Sequence, residues 1–275
     1  MFKWVVLTAT IIFWGLAFTA IKYAVAFISP ISIATLRFAV ADTLFLLSIL
    51  SGRRVQSRDL PMTLVLGVFG VSVYHICLNI GEIYVSSGVA SLIISLAPVF
   101  VLILSWMFLN ERITALKIIG TGVAFAGVAL ISKPSSGNIF GILIVLASAI
   151  AAAIYTTLGK KLMEKYDAVT LTSYTMLLGS IPLIPFLPSS LAEILSNPNT
   201  ITSILFLGFF STYLGYMGWY YFLEREEASK ASIFLLTIPV VSLIAGSLLL
   251  DEELTVLTFA GAMTILLGVY MVLKG

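Results

Sequence analysis

The sequence predicts an all-α membrane protein with ten transmembrane helices in a 5+5 inverted-topology repeat. Of its 275 residues, 60% are hydrophobic and 10% are charged, and the mean hydropathy is +1.12. A soluble domain carries about 25% charged residues, so this chain cannot cover itself with polar surface and we expect it in a lipid bilayer. An internal repeat and an uneven distribution of Lys and Arg predict how the helices are arranged.

Apolar segments long enough to cross a bilayer follow one another with short loops between them. A span needs about 20 apolar residues. The first segment begins at Trp4 and is longer than the apolar part of a typical signal peptide, so we expect it to be retained as a helix. The predicted spans are 4–22, 31–50, 61–83, 87–109, 114–132, 139–159, 168–187, 201–222, 231–250 and 255–273.

A long stretch of the first half recurs in the second half. Residues 90–133 align without a gap with residues 231–274. The matches include residue types that unrelated apolar helices would not share in one register. They are Pro98 and Pro239, Glu111 and Glu252, Thr114 and Thr255, Gly120 and Gly261, and Gly127 and Gly268. We interpret this as a duplication of five helices, with halves at 1–136 and 137–275.

The remaining spans of the two halves match less closely. The first and sixth spans align best with Phe18 opposite Tyr155, in a different register. The second and seventh spans show no convincing match. The duplication is therefore carried mainly by spans three to five and eight to ten.

The positions of the basic residues predict the orientation. With the N-terminus in the cytoplasm, twelve of the fifteen Lys and Arg residues face inward, Lys22 and Lys133 face outward, and Arg37 lies within a span. Loops on the cytoplasmic side carry the excess of Lys and Arg, so both termini are predicted to be cytoplasmic in a cell membrane. Because each half has an odd number of spans, the second half enters the membrane from the opposite side.

Polar residues form one face of the third span. Ser72, His75, Asn79 and Glu82 follow helical spacing, and the eighth span carries tyrosines at the equivalent positions. An inverted repeat brings these faces together near the midplane, where a substrate path is expected. The alternative is that the tyrosines form an aromatic belt at the membrane surface. The tyrosines are Tyr213, Tyr216 and Tyr220.

Ionisable residues within spans are costly and therefore candidates for function. Arg37 either lines the path or extends toward the outer surface, and Asp42 is protonated, binds a proton in transport or pairs with another helix. Glu82 and Lys22 lie near the outer ends of their spans, where they form either an outer gate or a surface salt bridge. We name Asp42 and Glu82 as candidate proton or coupling sites.

Prolines and small residues recur at equivalent positions of the two halves. Pro98 and Pro239 interrupt spans four and nine, where they act either as hinges or as static kinks. Thr114 and Thr255 are predicted helix N-caps, and the neighbouring glutamates are predicted to fix the corners. The repeated glycines suit close helix contacts, within a half or between protomers.

These motifs resemble a known family. The residues that carry the resemblance are Phe13-Trp14-Gly15, Phe18, Ile21-Lys22, Leu36-Arg37-Phe38, Asn79, 87–93, Pro98, Glu111-Arg112, Gly120 and Gly127. The chain resembles the ten-helix EamA-type members of the drug/metabolite transporter superfamily. The resemblance implies a central cavity lined mainly by spans 1, 3, 4, 6, 8 and 9, with spans 5 and 10 peripheral. It also implies export or exchange of small metabolites such as amino acids by alternating access. Asp42 and His75 are not part of the shared pattern.

We therefore expect a secondary transporter of small organic solutes. Trp14, Phe18 and Tyr155 would form aromatic walls, and the polar residues of spans three and eight would offer hydrogen bonds. The alternative is a passive pore or a lipid-translocating protein on the same scaffold. A membrane-embedded enzyme is a more distant alternative, because the sequence offers no catalytic triad or paired carboxylates by spacing.

The expected partners are a small-molecule substrate and the lipid bilayer. We expect no nucleic acid, no cofactor and no metal, since Cys77 and His75 are the only residues of their types. A homodimer is left open.

Overall fold

The structure is a computed structural model. It describes residues 2–50, 52, 54–109, 114–131, 138–163, 165–223, 235 and 237–275. The corner that contains Glu111, the predicted boundary between the halves and the loop with Arg225 and Lys230 lie outside the described residues. The side chain of Tyr220 also lies outside them.

All elements in the described part of the chain are helices, as the apolar composition predicts. The α-helices are α1 (Phe2–Ala24), α2 (Pro30–Leu50), α3 (Leu60–Gly67), α4 (Tyr74–Tyr84), α5 (Ser87–Ile94), α6 (Ala97–Leu109), α7 (Ala115–Ile131), α8 (Ile139–Met163), α9 (Ala168–Ser180), α10 (Leu187–Ser196), α11 (Ile201–Leu205), α12 (Gly215–Leu223), α13 (Ile238–Leu250) and α14 (Val256–Lys274). Three short 3₁₀ segments lie at Ser57–Asp59, Ile181–Phe186 and Pro198–Thr200.

Within the described residues, six continuous helical stretches are long and apolar enough to cross a membrane, and four further apolar helices are shorter. The long stretches are Phe2–Ala24, Pro30–Leu50, Ser57–Tyr84, Ile139–Gly159, Val169–Ser196 and Pro198–Trp219. The shorter helices are Ser87–Val101, Ala115–Val128, Ile238–Leu250 and Val256–Val272. The all-α membrane class is confirmed, and the count of ten spans stays a prediction.

Two π-helical segments interrupt otherwise α-helical spans in the part of the chain that the structure describes. Val68–Val73 joins α3 to α4, and Phe206–Leu214 joins α11 to α12. The alignment of the two halves, extended backward from residue 90, places the first π-helical segment inside the second. Wide turns of this kind are rare and occur mostly at functional sites. Both polar faces predicted from the sequence therefore begin on non-α backbone.

The two prolines lie where new helices begin. α5 ends at Ile94, and α6 begins at Ala97 with Pro98 as its second residue. In the second half, Pro239 is the second residue of α13, which follows Thr237. Proline is well tolerated in the first turn of a helix, because its missing N–H would have no partner there. The predicted interruptions are present at both sites, and the hinge role stays a prediction.

α7 and α14 pack closely through glycine. A Cβ at Gly120 would lie 2.7 Å from the carbonyl oxygen of Gly268, and one at Gly127 would lie 2.9 Å from that of Gly261. The pairing joins the start of one helix to the end of the other, so the two helices run antiparallel. The sequence predicts close glycine contacts either within a half or between protomers. The structure instead places this contact between the two predicted halves of one chain.

A second pair of close contacts surrounds the π-helical segments. A Cβ at Gly67 would lie 2.4 Å from the carbonyl oxygen of Thr175 on α9, and one at Gly208 would lie 2.8 Å from that of Arg37 on α2. α9 packs against the third span, and α2 packs against the corresponding part of the eighth span. The two helices therefore have equivalent positions in the two halves, although their sequences show no convincing match. These contacts bring the second span against the π-helical part of the eighth.

Helix caps join distant parts of the chain. The Oγ1 atoms of Thr114 and Thr255 accept hydrogen bonds from the backbone N–H groups of Lys117 and Thr258, at 3.3 and 3.0 Å, so both predicted N-caps are confirmed. Glu252 does not cap its own corner. Its carboxylate accepts from the N–H and the Oγ–H of Ser87, both at 2.8 Å, and so fixes the start of α5.

Candidate functional site

Arg37 occupies the centre of the candidate site. Its side chain lies about 10 Å along α2 from Pro30 and is only 3% exposed, so it does not extend to the surface. The guanidinium Nε donates to Thr212 Oγ1 at 2.5 Å, and Nη2 donates to Ser211 Oγ at 3.0 Å. Nη1 lies 3.3 Å from His75 Nδ1. Three neutral side chains from two other spans therefore surround the charge.

His75 is held between aromatic rings. The residue is 2% exposed, and its ring lies 4.9 Å from that of Phe38 and 4.6 Å from that of Tyr74, measured between centroids. In the described part of the molecule, His75 Nε2 has no hydrogen-bond partner. The structure thus brings the predicted candidates Arg37 and His75 into direct contact.

The π-helical segment of the eighth span supplies the other half of the site. Thr212 Oγ1 donates to the carbonyl oxygen of Leu207, five residues earlier, at 2.8 Å. The wide turn places two adjacent hydroxyls, those of Ser211 and Thr212, against the guanidinium. Sequence reasoning missed both residues, because it assigned this face to the tyrosines from α-helical spacing.

Trp14 completes one wall of the site. Its Nε1–H donates to the carbonyl oxygen of Ser211 at 2.9 Å. Its ring lies 5.5 Å from that of Tyr216 and 5.8 Å from that of Trp219, measured between centroids. The structure therefore places Trp14 and Tyr216 beside the site that Arg37 and His75 form.

Other predicted path residues pack around this site. Phe18 lies in the main hydrophobic core, and Tyr213 packs against Phe45 with 5.2 Å between ring centroids. The Tyr155 ring lies against Gly70, where an added Cβ would approach it to 2.4 Å, and its hydroxyl lies 3.5 Å from Thr175 Oγ1. These residues support the site without touching the guanidinium.

Ser72 and Asn79 connect helices. Ser72 Oγ donates to the carbonyl oxygen of Gly179 at 2.6 Å, where α9 approaches the third span. Asn79 Nδ2 donates to the carbonyl oxygen of Pro30 at 3.0 Å, at the start of α2. Of the predicted polar stripe, only His75 makes direct contact with Arg37.

Asp42 pairs with another helix. Its Oδ2 accepts from Ser180 Oγ on α9 at 2.5 Å, while Oδ1 has no partner in the described part of the structure. Arg37 and Asp42 do not pair, as their spacing on one helix predicts. Of the three roles considered for Asp42, this geometry supports the contact between helices.

Glu82 forms a second buried site near the end of α4. The residue is 0% exposed, and neither carboxylate oxygen has a hydrogen-bond partner among the described residues. Lys22 instead donates to the carbonyl oxygens of Glu82 and Val85, at 2.6 and 2.9 Å. A surface salt bridge between Lys22 and Glu82 was one alternative, and it is wrong, because the carboxylate is buried.

Comparison with known proteins identifies the family. The model of the EamA-like transporter family matches the chain twice, over residues 2–133 and 139–274. The chain belongs to the EamA-like transporter family. This confirms the resemblance read from the sequence motifs, and it shows a transporter-type membrane protein.

Relatives of similar length support the assignment. An uncharacterized transporter of Archaeoglobus fulgidus is 61% identical over 100% of this chain and 99% of its own length. A protein of Streptantibioticus cattleyicolor named "Probable terminal-alkyne amino-acid exporter" is 32% identical over 97% of this chain and 91% of its own. A "Probable amino-acid metabolite efflux pump" of Salmonella typhimurium is 30% identical over 95% and 91%.

A solved structure has the same fold. One crystal structure superposes with a TM-score of 0.64 and covers 97% of this chain and 94% of its own, at 15% sequence identity. At this identity the likeness concerns the fold alone. The described helices of this EamA-like transporter therefore have the fold of that structure.

Proposed function

We propose that this EamA-like transporter is a secondary active transporter that exports or exchanges small organic metabolites such as amino acids by alternating access. The observation that carries the proposal is the buried contact of Arg37 with Ser211 and Thr212. It joins the predicted first half, 1–136, to the second, 137–275. A carrier of this type holds its substrate between its repeats and opens to one side at a time.

The proposed path follows the residues around that contact. Trp14, His75 and Tyr216 border it directly, and Phe18, Ser72, Asn79, Tyr155 and Tyr213 pack or hydrogen-bond around it. The helix starts at Pro98 and Pro239 would serve as hinges when the halves move. The names of the two exporter-like relatives support an organic substrate. We place the protein in the cell membrane with both termini in the cytoplasm.

Coupling to a proton is proposed at Glu82. A buried carboxylate without hydrogen-bond donors is costly when charged, and protonation removes that cost. Asp42 is the weaker candidate, since Ser180 already donates to it. Glu82 and His75 lie on the same helix, α4, so a change of charge at Glu82 could act on the site through that helix.

Counterflow in proteoliposomes tests the proposal. Vesicles that hold the purified full chain and a mixture of unlabelled L-amino acids should accumulate a labelled amino acid, with uptake that saturates and requires the internal pool. His75→Ala and Tyr216→Phe should each lower uptake about 5- to 30-fold, the effect of losing one or two hydrogen bonds. Tyr270→Phe, on the exposed part of α14, is the matched control.

Two results would contradict the proposal. Flux that neither saturates nor depends on the internal pool would indicate a passive pore or a lipid-translocating protein. Full uptake by both His75→Ala and Tyr216→Phe would remove the assigned site from the path.

A further inference from the structure

We propose that Arg37 binds a carboxylate group of the substrate and that His75 donates to a further acceptor of it, so that the transported compounds are carboxylates. This inference rests on the proposed transport function and narrows its substrate class. Three independent features of the site carry it: its charge, the edge of the guanidinium that is occupied, and its surplus of hydrogen-bond donors.

Among the described residues, the charge at Arg37 forms no ion pair with a carboxylate. A guanidinium stays protonated in proteins, and a buried charge is costly unless it is paired. Among the described residues, no carboxylate lies within 4.0 Å of the Arg37 side chain. Glu82 lies seven residues beyond His75, about 10 Å along the helix. The site therefore favours an anionic ligand.

The occupied edge of the guanidinium matches a carboxylate. Thr212 Oγ1 and Ser211 Oγ accept from Nε and Nη2, which are the neighbouring donors along one edge of the group. A carboxylate binds arginine through two parallel N–H···O bonds, with one oxygen on each donor. The two hydroxyl oxygens thus stand where the two carboxylate oxygens would bind.

The remaining groups of the site are donors. Arginine has five N–H groups and no acceptor, so the contact of Arg37 Nη1 with His75 Nδ1 requires Nδ1 to accept. The proton of a neutral His75 then lies on Nε2, which is buried and has no partner in the described structure. Arg37 also keeps two N–H groups beyond its three contacts. A ligand that supplies acceptors would satisfy these donors.

The origin of the hydroxyls suggests how the ligand enters. Arg37 and His75 belong to the predicted first half, whereas Ser211 and Thr212 lie on the π-helical segment of the second. Movement of the halves would withdraw the hydroxyls and leave the guanidinium edge open to a carboxylate. When no substrate is bound, the hydroxyls return and satisfy the arginine in the closed protein.

Thermal-shift titration of the purified full chain tests this site. The probes are L-amino acids, their N-acetyl derivatives, which keep the carboxylate, and their methyl esters, which lose it, together with dicarboxylates and simple amines. A ligand that binds the folded state raises the melting temperature. We expect amino acids or other free carboxylates to raise it, and the corresponding esters and amines to have no effect.

Variants then assign the response to Arg37. Arg37→Gln should weaken the binding of the responding carboxylate at least about 30-fold, because it removes one partner of a buried charge pair. Arg37→Lys should restore only part of the affinity, since an ammonium lacks the planar edge. Arg58→Gln, whose side chain is 73% exposed in the wild-type protein, is the control and should bind normally.

The outcomes separate this inference from the proposed function. Two results on the unmodified protein would overturn the carboxylate site without any variant. One is an ester that stabilises the protein to the same extent as its parent acid, and the other is a panel in which no carboxylate raises the melting temperature. Transport of amines or sugars alone would overturn it and leave the transport function standing. A carboxylate that binds through Arg37 but is not transported would contradict the transport function and support the site.

Discussion

Two buried ionisable residues, Arg37 and Glu82, differ in the hydrogen-bond partners that the fold gives their side chains. Arg37 has three side-chain partners, two of them from the other predicted half of the chain. Glu82 is at least as well buried, and its carboxylate has no hydrogen-bond donor in the described part of the molecule. The fold therefore keeps a charge at Arg37 and offers a site for a neutral, protonated carboxyl at Glu82.

This difference is consistent with the different roles that we propose for the two sites. A fixed charge that neutral groups satisfy can exchange those groups for a substrate. A carboxyl without partners can gain or lose a proton as its surroundings open and close. The hydrogen-bonded guanidinium of Arg37 suits substrate binding, and the carboxyl group of Glu82, which has no partner among the described residues, suits coupling to a proton.

The largest effect is expected from Arg37→Met. The substitution removes the substrate's partner, and we expect counterflow to fall at least about 30-fold. Loss of the guanidinium also leaves buried acceptors without their donor, which should lower the free energy of unfolding by about 1–3 kcal/mol. Counterflow and a melting curve measure the two quantities on the same preparation.

The comparison would fail if Arg37→Met lowered the stability of the protein and left transport by the folded protein unchanged. A large loss of stability with counterflow retained in the folded fraction would make Arg37 a structural residue. Arg58→Gln again serves as the control, because it removes an arginine whose side chain is exposed.

Glu82→Gln is expected to separate coupling from exchange. The amide imitates the protonated carboxyl, so uptake driven by a pH gradient should lose its dependence on the gradient. Counterflow, which needs no proton movement, should stay within about 3-fold of wild type, a change of under 1 kcal/mol. Uptake with and without an imposed gradient measures both.

Glu253→Gln is the matched control for this variant, since Glu253 is exposed on the same predicted outer side. Gradient-driven uptake that persists unchanged in Glu82→Gln would exclude Glu82 from coupling. Asp42→Asn would then be the next variant to measure.

The sequence predicted the parts of this fold that depend on composition and repetition. The apolar spans, the caps at Thr114 and Thr255 and the interruptions at Pro98 and Pro239 all follow from local chemistry. Arg37 was a candidate because a charge within a span is costly. Each of these features can be read from one segment of the chain alone.

The partners of Arg37 could not be predicted in this way. Ser211 and Thr212 lie on a π-helical segment, which places more residues in each turn than an α-helix, so α-helical spacing assigned the inner face to Tyr213 and Tyr216. The burial of Glu82 depends on which helices pack against α4, and a single sequence does not record those contacts. Likewise, α2 and α9 occupy equivalent positions because of the helices against which they pack, and their sequences share too few residue types to show this.

The smallest effect on transport is expected from Lys22→Met, which tests whether Glu82 acts independently of the neighbouring Lys22. The ammonium of Lys22 is engaged by the carbonyl oxygens of Glu82 and Val85 at the end of α4. Losing these charge-assisted hydrogen bonds should lower the free energy of unfolding by about 1.5–3 kcal/mol. Because the carboxylate itself accepts nothing from Lys22, gradient-driven uptake by the folded protein should keep its pH dependence. Loss of the pH dependence in Lys22→Met as complete as in Glu82→Gln would instead make the two residues a single ion pair. It would also end the distinction between Arg37, whose charge has side-chain partners, and Glu82, whose carboxyl group has none among the described residues.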